Sequence, residues 1–147
     1  MPKTIPTTAP PNVVTSRVTI SGAGSRIEAV KLTTGIVHTA SGDLDITLKS
    51  PAGTLVTITS DNGDVNDNVF NGTLWDDKAD PGNQVPFPAD TFGASNLATD
   101  RAYANLSTAT PLVSEEALAA FRDENPNGVW ELSISDDTTG NGGTLNS

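Results

Sequence analysis

The chain of 147 residues contains no cysteine, so no disulfide stabilises it and cysteine usage gives no indication of its redox compartment. Basic residues are also scarce, because eight lysines and arginines stand against eighteen acidic residues and give a formal net charge of −10. Such a chain repels phosphate backbones and anionic lipid headgroups alike. We therefore expect neither nucleic acid nor a membrane surface as a partner.

An apolar run is missing from the first twelve residues, which contain Lys3 and four prolines instead. This composition fits neither a signal peptide nor a membrane span. We expect residues 1–12 to be an extended linker, or residues added at the start of the chain, and any export signal to lie outside this sequence. The remaining residues, 13–147, have the size of a single domain.

The composition is typical of an all-β protein. Thirteen glycines and ten prolines accompany abundant threonine, serine, aspartate and asparagine, as expected for many short strands joined by turns. Apolar residues alternate with polar ones at the positions of the predicted strands. These positions are Val30 to His38 with an interruption near Gly35, then Leu44, Ile46, Leu48, Val56, Ile58, Trp130, Leu132 and Ile134. One short helix is predicted up to Phe121, with Ser114 as its N-cap.

Carboxylates are concentrated in the segments between predicted strands. Calcium binds about six to eight oxygen ligands, often from two or three carboxylates and from loop carbonyls. A structural Ca²⁺ ion is therefore predicted, although no EF-hand spacing occurs. Aspartate also occurs in turns because its side chain bonds nearby backbone, and Asp77 in particular can accept bonds from backbone amides. The candidate metal ligands are Asp76, Asp77 and Asp136, expected to converge on one ion, and the loop residues Asp61, Asp64 and Asp67.

Catalytic residues are not predicted anywhere in the chain. The single histidine, His38, lies in the inward-facing phase of a strand, where packing positions are expected. A nucleophile needs a base within hydrogen-bonding reach, yet the sequence has no Gly-x-Ser-x-Gly word, no Cys-His pair and no zinc-ligand spacing. We expect His38 to be a buried structural residue.

Several short words in the sequence resemble the P domain (homo B domain) that follows the catalytic domain in subtilisin-like proprotein convertases. Any one of them is a weak signal, but their order and spacing are specific, and together they span most of the chain. The words are His38-Thr39, Asp43-Leu44-x-Ile46-x-Leu48, Ser50-Pro51-x-Gly53-Thr54, the Thr73 to Ala79 run TLWDDKA, Leu118-x-x-Phe121, Gly128-x-Trp130-x-Leu132 followed by Asp136, and Gly143-x-Leu145.

The resemblance implies a jelly-roll-like antiparallel β-sandwich of about eight strands. It further implies a noncatalytic accessory domain of a secreted, bacterial-type subtilisin-like serine endopeptidase, or of another exported multidomain protein. The expected partner is then the catalytic or another domain of the same polypeptide, and the expected location is extracellular or on the cell surface.

The sequence departs from the family pattern in two places. The family continues past Gly-x-Leu into a final strand with Trp-x-Leu, which this sequence does not include, so we expect an unpaired edge that favours self-association. The segment from Phe87 to Thr110 is longer than expected and is predicted to be a protein-specific loop.

An alternative function is a carbohydrate- or surface-binding jelly-roll module. Such modules present exposed aromatic rings, which Tyr103, Phe92 or Trp75 would have to supply. A glycosidase-like acid pair is compatible with any aspartate-rich chain, but no specific pattern favours it. A contiguous exposed apolar patch would favour the accessory domain, whereas a row of exposed aromatics would favour sugar binding.

Overall fold

The computed structural model describes residues 1–79 and 110–146, and this part of the chain is an all-β sandwich. Eight strands form two four-stranded antiparallel sheets, with the orders β1-β8-β3-β6 and β2-β7-β4-β5. The predicted antiparallel sandwich is thereby confirmed. The strands are β1 Lys3–Ile5, β2 Asn12–Ile20, β3 Leu32–His38, β4 Leu44–Lys49, β5 Leu55–Thr59, β6 Asn71–Trp75, β7 Gly128–Asp136 and β8 Gly143–Leu145.

The hydrophobic core lies between the two sheets and uses the alternating residues of the predicted strands. In the second sheet, Ile46 of β4 lies opposite Ile134 of β7, and Leu48 lies opposite Leu132. All four side chains are buried, because alternate residues of a strand point to the same face. The period-two pattern therefore identified the inward face of these strands correctly.

Strand β3 belongs to the first sheet and pairs with a different strand along each of its two halves. Its pairing with β6 shifts register between Thr34 and Gly35, at the predicted interruption. Its second half pairs with β8, where a Cβ on Gly143 would lie 1.8 Å from the Val37 carbonyl oxygen. Only glycine allows this close approach of the two backbones.

The N-terminal segment differs from the predicted linker. Strand β1 lies within residues 1–12 and pairs with β8, with Lys3 opposite Leu145 and Ile5 opposite Gly143. Ile5 is only 1% exposed and belongs to the core. A strand of three residues is too short to show an alternating pattern, so the prolines around it dominated the prediction.

The predicted helix from Ser114 to Phe121 is wrong in its first half. Only Leu118–Phe121 forms a 3₁₀ turn, and the Ser114 hydroxyl donates to the Glu116 carbonyl oxygen instead of capping a helix. The Glu115 and Glu116 amides donate to carbonyls of β5, the edge strand of its sheet. Pairing with this open edge satisfies the backbone in an extended conformation and so competes with helix formation.

Three large apolar residues follow the acidic loop and differ in their burial. Phe70 is buried, Leu74 is only partly buried, and Trp75 takes the inward position on β6. Trp75 is therefore a packing residue and not an exposed ring. The predicted protein-specific loop over 87–110 lies, except for Thr110, outside the described residues.

Candidate functional site

Asp76 and Asp77, which follow β6, bind different parts of the protein. An Asp76 carboxylate oxygen lies 2.6 Å from the Lys31 ammonium, and this hydrogen bond is the main reason why the pKa of Asp76 is lowered. The two oxygens of Asp77 accept hydrogen bonds from the Leu118 and Ala119 amides at 2.8 and 2.7 Å. Asp77 thus caps the 3₁₀ turn, which is the backbone-amide role left open from the sequence.

Asp136 is buried at the end of β7 and contacts the only histidine. Its Oδ2 lies 3.3 Å from His38 Nε2, and the two side chains are 0% and 1% exposed. The other ring nitrogen, Nδ1, lies 2.7 Å from the Ala40 carbonyl oxygen, while Asp136 Oδ1 accepts from the Thr138 amide at 3.1 Å. His38 is therefore the buried structural residue that its strand position predicted.

The predicted convergence of Asp76, Asp77 and Asp136 on one ion stays a prediction. Each carboxylate binds a separate protein partner, and Asp77 uses both oxygens to do so. Within residues 1–79 and 110–146, no three side chains of histidine, aspartate or glutamate come together in a way that would hold a metal ion. Any cation at this end must therefore draw on amide and carbonyl oxygens as well.

The acidic loop over 61–67 packs against the 3₁₀ turn Ser41–Asp43. The Ser41 amide donates to the Asn66 carbonyl, and the Gly42 amide donates to the Asp64 carbonyl at 2.9 Å. Asp61 and Asp64 have φ values of 54° and 50°, in the left-handed region that aspartate and asparagine tolerate better than most residues. Part of the acidic composition of the loop is therefore explained by its backbone.

Asn62 supplies an oxygen that the backbone does not explain. Its side chain is 1% exposed, and Nδ2 donates to Thr59 Oγ1, the Ser60 carbonyl and Glu115 Oε1. Its Oδ1 is buried, and no donor from the described part of the chain reaches it. A buried carbonyl oxygen without a partner costs about 1–3 kcal/mol, so this oxygen fits a bound cation or a water molecule.

The electrostatics around this loop favour a positive charge. Burial raises the pKa of Glu115, and the charge of Asp61 adds to the effect. Burial likewise raises the pKa of Asp45, with smaller contributions from the charges of Asp137 and Glu115. Sequence patterns did not identify Asp45 and Glu115 as neighbours, because their proximity depends on strands and loops that are distant in the chain.

A second feature is an apolar cleft at the opposite side of the molecule, which we call the open cleft. It has a volume of about 460 Å³ and lies between the two sheets, where β2 and the segment before β3 meet. The lining includes Val18, Ile20, Val30, Leu32, Leu48 and Trp130. Contiguous apolar surface of this kind is the mark expected of a docking site.

The rim of the open cleft carries paired charges. Three cations lie around it or around the adjoining smaller cleft, and each forms a salt bridge. The three cations are paired and Glu28 adds an acidic side chain to the lining, so the described part of the rim has no unpaired cation to attract an acidic ligand. The pairs are Arg17 with Glu131, Arg26 with Asp123, and Lys31 with Asp76.

The aromatic residues of the described ranges are all packed inside the protein. Phe70, Trp75, Phe121 and Trp130 are buried, and each forms a ring contact with another of the four. Tyr103 and Phe92 lie outside the described residues. Residues 1–79 and 110–146 therefore present no exposed aromatic ring on which a sugar could stack.

Among residues 1–79 and 110–146, no helix has the length and hydrophobicity needed to cross a membrane.

Comparison with known proteins gives a family match and several similar solved structures. Residues 27–83 match the family model "Proprotein convertase P-domain", which confirms the resemblance found in the sequence. P domains are noncatalytic companions of subtilisin-like proteases, so the match also supports the prediction of a noncatalytic chain. No curated protein matches.

Two of the similar solved structures are of a serine protease from Aeromonas sobria. In one, the protease is in complex with a chaperone, and it is 18% identical with a TM-score of 0.31 over 93% of this chain. In the other, the protease alone is 17% identical with a TM-score of 0.29 over 91% of this chain. The chain spans 24% of the length of each protease.

Proposed function

From the match of residues 27–83 to the convertase P-domain family, we propose that this chain is an accessory domain of a larger exported protein, in which it packs against and stabilises a subtilisin-like catalytic domain. The family match is the observation on which this proposal rests. The open cleft supports it, because an uncovered apolar surface suits a contact with another domain of the same polypeptide.

A binding and stabilising role also agrees with the burial of His38. The His38 side chain is 1% exposed and bonded to Asp136, so no substrate reaches it in this structure. Its position instead joins β3 to β7, which belong to different sheets. The chemistry of the parent protein would then reside in another domain.

The accessory role is tested with the domain that neighbours this chain in its reading frame. A neighbouring Asp/His/Ser peptidase domain, expressed with and without this chain, should lose activity on heating more slowly when the chain is present. The chain alone should not hydrolyse casein or peptide esters. Equal inactivation rates would contradict the stabilising role, and hydrolysis that disappears in a His38→Ala variant would overturn the noncatalytic assignment.

The proposal includes a structural Ca²⁺ ion at the acidic loop. Asn62 would supply its buried Oδ1, and one or two carboxylates from Asp61, Asp64 and Asp67 would join it with backbone carbonyls, since no three of the described carboxylates come together. Calcium accepts such a mixture of carboxylate, amide and backbone oxygens. The ion would stabilise the fold by mass action, since only the folded loop gathers these oxygens.

Thermal unfolding in calcium and in chelator tests this site. The unmodified chain should unfold several degrees higher with calcium, and Asp64→Asn should abolish the difference. Asp76→Asn is the matched control and should keep it. If Asp76→Asn abolishes the difference and Asp64→Asn does not, the ion lies at the Asp76, Asp77 and Asp136 set, and identical curves for the unmodified chain exclude both sites.

Location outside the cytoplasm is part of the same proposal. Calcium sites of extracellular modules bind with dissociation constants of about 10⁻⁴ to 10⁻³ M, which suits a loop held by few carboxylates. Cells that express the complete gene should release the protein or display it on their surface. Retention of the complete product in the cytoplasm would contradict the location.

A further inference from the structure

Strand β2 is the outermost strand of the second sheet, and within residues 1–79 and 110–146 no strand pairs with its outer side. It is nine residues long and contains no proline, and its register with β7 runs from Asn12 to Ile20 without a shift. Most proteins shorten, bend or charge such an edge, because its open backbone groups can pair with another chain. A long and regular edge of this kind is a ready surface for strand pairing.

The register across the sheet identifies the backbone groups of β2 that are open. At the opposite edge of the sheet, the Thr57 amide donates outward to the Glu116 carboxylate. Hydrogen bonding alternates along each antiparallel strand, so this alternation, followed through β4 and β7, directs the odd-numbered residues of β2 outward. The contact of the Lys3 ammonium with the Thr15 carbonyl oxygen agrees with this direction. The outward residues are Val13, Thr15, Arg17 and Thr19.

A second copy of β2 is complementary to these open positions. When the copy runs antiparallel about a two-fold axis through Ser16, all nine residues of β2 overlap with all nine of the copy. Val13 then lies opposite Thr19 of the copy, and Thr15 lies opposite Arg17 of the copy, so outward residues meet outward residues throughout. Such pairs exchange about eight backbone hydrogen bonds, close to the roughly ten that are typical of a stable interface.

Exposed apolar side chains flank this edge on the outer face of the sheet. Val13 is 58% exposed, and Val129 of β7 is 48% exposed. Thr19 lies directly beside Val129 in the strand register. Because opposite residues of paired strands point to the same face, Val13 of the copy would lie beside Thr19 and extend the row that ends at Val129. The pairing thus removes from water two valines that a single copy leaves exposed.

The charges along β2 permit a second copy to approach. The chain has a formal net charge of −10, yet β2 contains no acidic residue. Its one cation, Arg17, forms a salt bridge with Glu131 of β7. Two copies paired along β2 therefore bring no unpaired carboxylates of this strand together. The remaining long-range repulsion between two acidic chains is screened by salt, so salt should strengthen the pairing.

Lys3 guards one position of the edge. Its ammonium contacts the Thr15 carbonyl oxygen, which in the pairing would accept from the Arg17 amide of the copy. Lysine is a common residue at sheet edges because its charge opposes strand pairing. The contact is exposed, so displacing the ammonium into water costs little. Lys3 should therefore weaken the pairing without preventing it.

We propose that the β2 edge is a homodimer interface, in which two copies of this chain pair antiparallel along β2 with Ser16 on the two-fold axis. The second sheets of the two copies then form one continuous sheet. Backbone hydrogen bonds and the buried valines hold the copies together. The interface requires no other domain, so it and the accessory role can fail separately.

Cysteine crosslinking tests the interface and its register together. Because the chain has no cysteine, Ser16→Cys can form a disulfide only with a second copy. Opposite residues of a non-hydrogen-bonded pair have Cα atoms about 4.5 Å apart, which a disulfide spans. Thr15→Cys is the control, since its two Cα atoms would lie more than about 7 Å apart across the axis. We expect at least about tenfold more crosslinked dimer from Ser16→Cys. Equal crosslinking, crosslinking at Thr15 alone, or none at either position overturns the proposal.

Sedimentation equilibrium of the 147-residue chain measures the association without a crosslink. Val13→Asp and Leu55→Asp form a matched pair, because the two side chains are 58% and 57% exposed on the two edge strands of the same sheet. Val13→Asp should weaken the dimer at least about tenfold, and Leu55→Asp should leave it within about twofold. Lys3→Ala should strengthen it. Equal effects of the two aspartate variants, a weaker dimer of Lys3→Ala, or a chain that stays monomeric up to about 1 mM overturns the interface.

Hydrogen exchange needs no variant and locates the interface directly. The Arg17 and Thr19 amides should exchange more slowly as the protein concentration rises, because each gains an acceptor from the second copy. The Ser16 and Val18 amides face β7 and should exchange at the same rate at all concentrations. A dimer that forms without protecting Arg17 and Thr19 uses another surface and overturns the proposal.

Discussion

His38 and Asp136 connect the two sheets of the sandwich through a buried contact of 3.3 Å between Nε2 and Oδ2. Asp136→Ala removes one partner and leaves the imidazole without its carboxylate in a site closed to water. Loss of one partner of a buried hydrogen bond typically costs about 1–3 kcal/mol, so we expect a loss of this size in urea unfolding.

A double-mutant cycle separates the pairing from packing. His38→Phe combined with Asp136→Leu removes both polar partners, so the combined loss should be smaller than the sum of the two single losses. Strictly additive losses would show that the two residues are not coupled, and the cross-sheet role would be wrong.

The strands of this sandwich were predictable because each buries one face against a shared core. The turn after β4 was equally predictable from its proline and glycine, and in the structure Gly53 has a φ of 99° and its amide donates to the Ser50 carbonyl. The roles of the carboxylates could not be predicted from the sequence. Asp77 meets Leu118, 41 positions further along the chain, and local sequence contains no information about that encounter.

Asp77 should contribute to stability as a cap and not only as a charge. Asp77→Ala leaves the Leu118 and Ala119 amides without their acceptor and should cost about 1 kcal/mol in chemical unfolding. Asp77→Ser should recover part of the loss, since serine also caps. The adjacent Asp76→Ala is the control, measured in chelator, and should cost less because Asp76 pairs with an exposed lysine. A larger loss at Asp76 would refute this ranking.

Asp45 makes the stability of the protein depend on pH. Burial and two nearby carboxylates raise its pKa in the folded chain above the ordinary value of 3.8. Between these two values the folded chain binds more protons than the unfolded chain, so ionisation of Asp45 lowers the free energy of unfolding as the pH rises. Asp45→Asn removes this loss, and the variant should be the more stable protein at pH 7.

Unfolding across a pH series tests this linkage. The stability gain of Asp45→Asn should be near zero at pH 3, grow as the pH rises through the raised pKa, and stay constant above it. Asp123→Asn removes the same charge from an exposed salt bridge with Arg26 and should give no such gain. A gain that does not change with pH would show that packing, and not ionisation, is responsible.

The buried Thr34 hydroxyl connects two other buried polar groups beside Trp75 through hydrogen bonds, and we call this arrangement the polar relay. The hydroxyl donates to the Phe70 carbonyl at 3.1 Å and accepts from the Trp75 indole nitrogen at 3.0 Å. Thr34→Val keeps the shape but leaves the buried Trp75 indole N–H without its acceptor, which typically costs about 1–3 kcal/mol, whereas the Phe70 carbonyl still accepts from the Ile36 amide. We expect Thr34→Val to be strongly destabilising in urea unfolding followed by tryptophan fluorescence.

Thr34→Ser distinguishes the hydroxyl from the methyl group. Serine keeps both hydrogen bonds and loses one buried methyl, so its loss should be close to about 1 kcal/mol. The polar relay predicts that the isosteric valine is worse than the smaller serine, whereas pure packing predicts the opposite order. If serine is the more destabilising substitution, the Trp75 indole does not depend on Thr34, and the relay contributes little to the fold.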